Sequence, residues 1–292
     1  MKIIEFIKRN WVYLFLGFII IVVIVVLLFA PKRSNNGAQE QSDNQNTQEN
    51  QPIIVYGDTR NGHETHQKIV DAIITHDPLA VFHTGDLVNV GVSTGDWADF
   101  DRITKKLREQ TKFYPALGNH ELNSDLYFKN FDLPGNERWY EVDFGEIYFI
   151  VLDSNTSLEV GSEQYSWLEE KLKARKPQEL VAAVFHHPSF SSVGHGSDTG
   201  LQKTIVPLFE KYDVDIVFNG HNHSYERSFK EPTYYIVTAG GGAPLYDQSS
   251  TNIYSQKYFK VNHFCVLEVE DNKIQIEVLD QNSNSIDSFV IE

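Results

Sequence analysis

Five short polar motifs in this 292-residue chain carry side chains that could do chemistry together. They are Gly57-Asp58-Thr59-Arg60, Gly85-Asp86, Gly118-Asn119-His120-Glu121, His186-His187-Pro188 and Gly220-His221-Asn222-His223, and each directly follows a short apolar run. Brought to one cleft, they would assemble Asp58, Asp86, Asn119, His186, His221 and His223. Such oxygen and nitrogen donors suit Mn2+, Fe or Zn2+. Two ions roughly 3.5–4 Å apart can bind both the attacking and the leaving oxygen of a phosphoryl displacement. A carboxylate must bridge them, and Asp86 is the candidate. A water between the ions would have its pKa lowered enough to supply hydroxide at neutral pH.

Taken singly, each motif has an ordinary reading. A Gly-Asp after a strand is a turn or a helix cap. His-x-His could sit in a surface loop, and His186-His187 could be one packed and one exposed ring. The shared placement of all five carries the metal reading. Strand carboxyl ends gather on one edge of an α/β domain, and ligands bind there.

The elements that must position these motifs are legible from periodicity. Short apolar strands are expected at residues 53–56, 79–83, 113–117, 180–185 and 214–218. Helical spacing of apolar residues marks 65–75, 97–108, 162–173 and 202–212, with Ser162 as a cap. A hairpin is expected across 139–152, turning at Gly145-Glu146, and strands at 234–238, 263–270, 273–279 and 286–291 complete the chain. Alternating strands and helices early, then antiparallel strands late, predict a mixed α/β domain whose continuous apolar strands are covered on both faces.

The order of these motifs resembles that of the calcineurin-like metallophosphoesterases, and within them the purple acid phosphatase branch. The run Gly220-His221-Asn222-His223-Ser224-Tyr225-Glu226-Arg227 is similar to the Gly-His-x-His-x-Tyr-Glu-Arg of that branch. The resemblance covers residues 53–292 and implies an α/β two-sheet sandwich flanked by helices, with a dinuclear metal site. It implies one metal held by Asp58, Asp86 and His223, and the other by Asp86, Asn119, His186 and His221. It places His120 near the phosphate and the leaving group, and gives His187 a supporting or structural place. In the purple branch, histidines in the loop after the fourth motif protonate the leaving group, and His195 occupies that loop here. A solvent-exposed loop histidine is the other reading of His195.

Two positions depart from the family pattern. The wider family has His two residues after the first Asp, where this chain has Arg60. The purple branch has Tyr three residues after the second Asp, where this chain has Asn89, so no tyrosinate–iron colour is expected. Asn89, His63, a backbone carbonyl or water could complete the first metal's shell. Arg60 could grip a phosphate oxygen, since guanidinium matches phosphate geometry, or pair with one of the many acids. Gly240-Gly241-Gly242 could offer backbone donors to phosphate, but a turn is preferred because no helix clearly follows.

Residues 11–30 are twenty residues without a charge, enough helix to span about 30 Å of bilayer. A cleavable signal would have a shorter apolar region and a small-x-small end, whereas this run ends Leu-Leu-Phe-Ala-Pro. A transmembrane anchor is therefore expected, preceded by a short cytoplasmic segment at 1–10 and followed by a flexible polar linker at 31–52. Lys2, Lys8, Arg9 and the terminal amine precede it against Lys32 and Arg33 after it, which puts the main domain, 53–292, outside the cytoplasm. Net charge is −15; residues 1–33 carry +4 and 34–52 carry −3, leaving −16 for the rest. Such a domain repels nucleic-acid backbone, so no nucleic-acid partner is expected. A single cysteine, Cys265, excludes an intramolecular disulfide and a Cys-based zinc site, and reads as a buried strand residue.

These readings predict a membrane-anchored phosphoesterase with two Fe, Mn or Zn ions, acting on monoesters of small substrates through metal-activated hydroxide. His120 and Arg60 would act at the phosphate, and His195 or His120 would protonate the leaving oxygen. The alternatives are a phosphodiesterase acting on cyclic nucleotides, lipid head groups or nucleotide conjugates, and a surface binding protein with impaired catalysis.

Overall fold

Alternation along the strands sets the layering. In the computed structural model, which describes residues 51–292 except Leu122, Pro177 and Gln178, two sheets face each other. The anchor expected at 11–30 and almost all of the expected linker lie outside the described residues. Among the described residues no helix is long and apolar enough to cross a membrane.

The first sheet is built from β1 (Ile53–Tyr56), β2 (Ala80–His83), β3 (Lys112–Pro115), β11 (His263–Glu270), β12 (Lys273–Asp280) and β13 (Ser285–Ile291), in the order β13-β12-β11-β1-β2-β3. The second contains β4 (Tyr140–Asp143), β5 (Ile147–Val151), β6 (Leu180–Phe185), β7 (Ile216–Asn219), β8 (Tyr225–Lys230), β9 (Thr233–Thr238) and β10 (Ser255–Phe259), in the order β10-β8-β9-β7-β6-β5-β4. β1, β2 and β3 run parallel, as do β5, β6, β7 and β9. Successive side chains point to opposite faces. Ile53, Val55 and Phe82 therefore meet Phe149, Val184 and Phe218 between the sheets. The Phe82 and Phe149 rings stack at 4.0 Å. Ile54, Tyr56 and Val81 face outward instead, under α1 (His63–Ile74) and α2 (Thr94–Gln110). On the other side, Ile150, Val181 and Phe185 lie under α4 (Glu163–Ala174), α5 (Thr199–Thr204) and α6 (Val206–Lys211). Both faces of each central strand are thus covered, as continuous apolar sequence requires.

The Ser162 side chain accepts a hydrogen bond from Tyr165 N, capping α4 as expected. The helix expected at 202–212 is instead two short helices meeting at Ile205, with a proline in the first turn of the second. Proline supplies no N–H to continue the first helix but suits the start of the next. Periodicity did not reveal α3 (Asp125–Asn130), β8 or β10. β8 reads Tyr-Glu-Arg-Ser-Phe-Lys, and its charges hide a strand whose Glu226 is fully buried. Cys265 is buried in β11, as expected.

Phe82→Ala should lower unfolding free energy by about 3–5 kcal/mol, because both sheets lose a ring that neither can replace by collapse. Urea unfolding followed by circular dichroism would measure it.

Candidate metal centre

The loops after β1, β2 and β3 on one sheet, and after β6 and β7 on the other, bring the six expected donors together. Turning the chain this sharply puts Asp58 (φ 59°), Asp86 (φ 56°) and His221 (φ 70°) in the left-handed region. For non-glycine residues that conformation costs of order 1–3 kcal/mol each and persists only where the surroundings enforce it. Gly85, at φ 97°, needs the same freedom, and a Cβ there would stand 2.8 Å from His186 Nδ1. A Cβ on Gly220 would stand 2.5 Å from Asp58 Oδ2.

Around one point, Asn119 Oδ1 is 3.0 Å from His186 Nε2 and 3.0 Å from His221 Nδ1. His186 Nε2 is 3.2 Å from His221 Nδ1 and 3.4 Å from Asp86 Oδ1. Donors about 2.0–2.1 Å from one ion stand about 3.0–3.4 Å from each other. Around a second point, His223 Nε2 is 3.4 Å from Asp58 Oδ1, and Asp86 turns its other oxygen, Oδ2, to this side. Asp86 thus presents one oxygen to each position.

The protonation pattern also fits cations. His186 Nδ1 lies 2.9 Å from the Thr84 carbonyl and His223 Nδ1 2.7 Å from the Pro244 carbonyl. A carbonyl only accepts, so these nitrogens carry the protons and both Nε2 atoms are left to face the cleft. Burial, then the neighbouring His187, drives His186 well below the usual imidazole range, so its ring is neutral. Its Nε2 lone pair then faces His221 Nδ1 and a carboxylate oxygen, an arrangement that a bound cation satisfies. Burial, then His186, pushes His221 down to about 2. Burial also lifts Asp58 to about 6 against the opposing effect of His223. Burial disfavours the His223 cation, but the hydrogen bond and charge of Asp58 outweigh it and the net shift is upward. Asp58, Asp86 and His186 form one cluster of potential ligand atoms, and His186, His187 and His221 form another.

Supporting residues that periodicity did not single out hold these loops. Glu121, fully buried, accepts from Gly118 N (2.6 Å) and Asp86 N (3.0 Å) on one oxygen. Its other oxygen accepts from Leu87 N (2.9 Å) and Val88 N (3.3 Å). It thereby locks the second motif to the third. Burial and the Asp86 charge lift Glu121 to about 8. His83 Nδ1 accepts from Gly85 N at 3.2 Å, bracing the same turn from below. The three glycines at 240–242 form a bend after β9. Gly241 N donates to the Gly57 carbonyl and Ala243 N to the Asp58 carbonyl, so this turn lies against the first motif. A Cβ on Gly241 would stand 2.5 Å from Gly57 O.

The expected catalytic side chains take distinct places. His120 Nδ1 lies 2.7 Å from the Asn89 carbonyl, and its Nε2 points toward Asp86 Oδ2 at 3.9 Å. Asn89 thus orients His120, while its side-chain oxygen accepts from Asn61 Nδ2. His63 lies half exposed, 3.8 Å from Asp99. His195 is exposed with its ring 4.6 Å from that of His221, and its backbone N–H donates to Asn222 Oδ1. Asn222, between the two histidines of the fifth motif, also donates to the Gly196 carbonyl. His187 Nδ1 lies 2.8 Å from Ser154 Oγ, and its ring lies 4.6 Å from that of His221. Arg60 Nε donates to Asp86 Oδ2 at 3.3 Å. Tyr246, which no motif announced, stacks on His223 at 4.2 Å.

The Tyr-Glu-Arg run supplies bracing. Tyr225 Oη and Arg227 Nε both donate to Asp287 Oδ2 on β13, at 2.8 and 2.7 Å, tying the two sheets together. Glu226 accepts from Ser191 Oγ, Ser192 N and Ser192 Oγ, anchoring the loop that carries His195.

Residues 51–225 match the family described as calcineurin-like phosphoesterase. Among curated relatives, a probable purple acid phosphatase 20 of Arabidopsis thaliana is 33% identical over 164 residues, covering 49% of this chain and 38% of that protein. A probable inactive purple acid phosphatase 1 of the same plant is 28% identical over 213 residues, covering 57% and 35%. The chain thus spans less than two-fifths of the length of these relatives. The purple acid phosphatase PPD1 of yellow lupin shares the fold with a TM-score of 0.74 at 21% identity, over 82% of this chain and 53% of that one.

Glu121→Ala should leave four buried N–H groups without an acceptor and lower stability by at least about 3 kcal/mol. Denaturant titration would measure the loss.

Proposed function

Because the chain belongs to the calcineurin-like phosphoesterase family, we propose that it is a membrane-anchored, metal-dependent hydrolase of small phosphate monoesters. One observation carries the reading: donors from both sheets converge at the spacing of a coordination shell, with Asp86 turned to both positions. They fit the dinuclear centre of a purple acid phosphatase, with Asp58, Asp86 and His223 holding one cation and Asp86, Asn119, His186 and His221 the other. When bound, the pair supplies Lewis acidity and lowers the pKa of water toward neutrality.

The chain's own residues do the rest. His120, fixed through Nδ1 by the Asn89 carbonyl, turns Nε2 to the cleft, where the doubly protonated ring would donate to phosphate oxygens. His195, exposed beside His221, is placed to give a proton to the leaving oxygen. Residues 11–30 would anchor the enzyme, with the catalytic domain outside the cytoplasm and open to small exposed substrates.

A catalytically impaired binding protein is the competing reading, supported by the relative named inactive and by the Arg60 and Asn89 departures.

Nitrophenyl phosphate should be turned over faster than bis-(nitrophenyl) phosphate, and the reverse order would assign a diesterase. Loss of all turnover on both substrates, with fewer than two metals held, would favour the binding protein. Asp86→Ala should abolish activity and metal retention, whereas His187→Ala should be much milder. Equal effects in activity and metal analysis would move His187 into the metal shell.

A further inference from the structure

The family's metal-ligating histidine two residues after the first Asp is replaced here by a permanent cation. Arg60 is only 14% exposed in its side chain, so water does little to screen it. Its Nε donates to Asp86 Oδ2 at 3.3 Å, and its Nη2 stands 3.4 Å from His223 Nε2. His223 Nδ1 faces the Pro244 carbonyl, so Nε2 is the nitrogen turned to the cleft, where Arg60 Nη2 crowds it. One guanidinium therefore engages two of the three protein atoms that would serve the first metal. Guanidinium cannot lose its proton in a protein and become a ligand. It can only compete for these atoms and repel an adjacent cation. The second position has no such rival. Among the described residues, no lysine or arginine pairs with Asp86 Oδ1, and Asn119, His186 and His221 turn their donor atoms to one another and to Asp86 Oδ1.

We propose that Arg60 is a tethered competitor of the first metal, making the two positions unequal: the second fills at low metal, and the first fills only when the ion displaces the guanidinium from Asp86 and His223. A cavity of about 120 Å3 adjoins Arg60, lined by Asn61, Asn89 and Asp96 and, on its apolar part, by Leu87, Val88 and Phe100. It gives the displaced side chain a space that contains one carboxylate, Asp96. Arg60 is then a regulator of metal occupancy, and catalysis that needs both ions responds to metal supply through the weaker position. The inference rests on the two-metal reading and refines it.

The test is Mn2+ binding by the full chain in detergent, comparing wild type with Arg60→Met by calorimetry and electron paramagnetic resonance. Wild type should bind two ions with affinities at least about tenfold apart. Arg60→Met should tighten the weaker by at least about tenfold and leave the stronger unchanged, so that the spin-coupled Mn pair forms at lower total Mn2+. Arg60→Gln, which keeps a donor but not the charge, should behave like Arg60→Met and serves in its place should that chain not fold. Melting adds a change of sign: the Met variant should melt below wild type in chelator, where Asp86 loses its counter-charge, and above it at intermediate Mn2+ concentrations that load only the tightened site. Two ions bound by all three proteins with the same pair of affinities would overturn the role of Arg60 and leave the metal pair standing. No Mn2+ bound by any of them would overturn both.

Discussion

The structure depends on keeping one buried carboxylate, Asp86, open to both sides of a cleft. Its Oδ1 faces His186 and the His120 N–H, and its Oδ2 faces Arg60. A carboxylate in such a place is costly unless paired and hydrogen-bonded. The protein meets that cost by constructing the surrounding turn from constraints. Asp86 is held left-handed, Gly85 allows the approach of His186, and Glu121 gathers four N–H groups from the second and third motifs. Strain of this kind is stable only inside a rigid frame.

The sandwich is that frame. Two sets of parallel strands, one in each sheet, point their carboxyl ends at the same edge. The aromatic and aliphatic layer between them fixes the separation of the two sets. Motifs from β1 to β3 reach the cleft from one sheet and those from β6 and β7 from the other. Neither sheet alone holds a full donor set. A change in sheet spacing would separate Asp58 and Asp86 from His186, His221 and His223 together.

The run that makes the chain look most like a purple acid phosphatase divides its labour. His221 and His223 face the cleft, Asn222 steadies the His195 loop, and Glu226 anchors the start of that loop. Tyr225 and Arg227 leave the site and clamp Asp287 across the sandwich. One segment of β7–β8 therefore links donor placement, loop placement and the joining of the sheets. Arg60 gives the family frame an individual feature, since it brings a fixed cation into a place built for metals.

The sequence by itself determined the central strands, most helices, the five motifs and their placement after strands, because those depend on local periodicity and on residue type. Ser162 as a cap and Cys265 as a core residue were legible for the same reason. Only the tertiary structure decided what long-range contacts decide. β8 hid behind charges whose partners lie 30 to 60 residues away, at Ser191, Ser192 and Asp287. Tyr246 reached His223 through a loop with no pattern of its own. Arg60 could be seen as a departure in the sequence, but its reach to both Asp86 and His223 is a fact of three-dimensional distance. Spacing along a chain fixes which face a side chain takes; it does not fix what stands opposite.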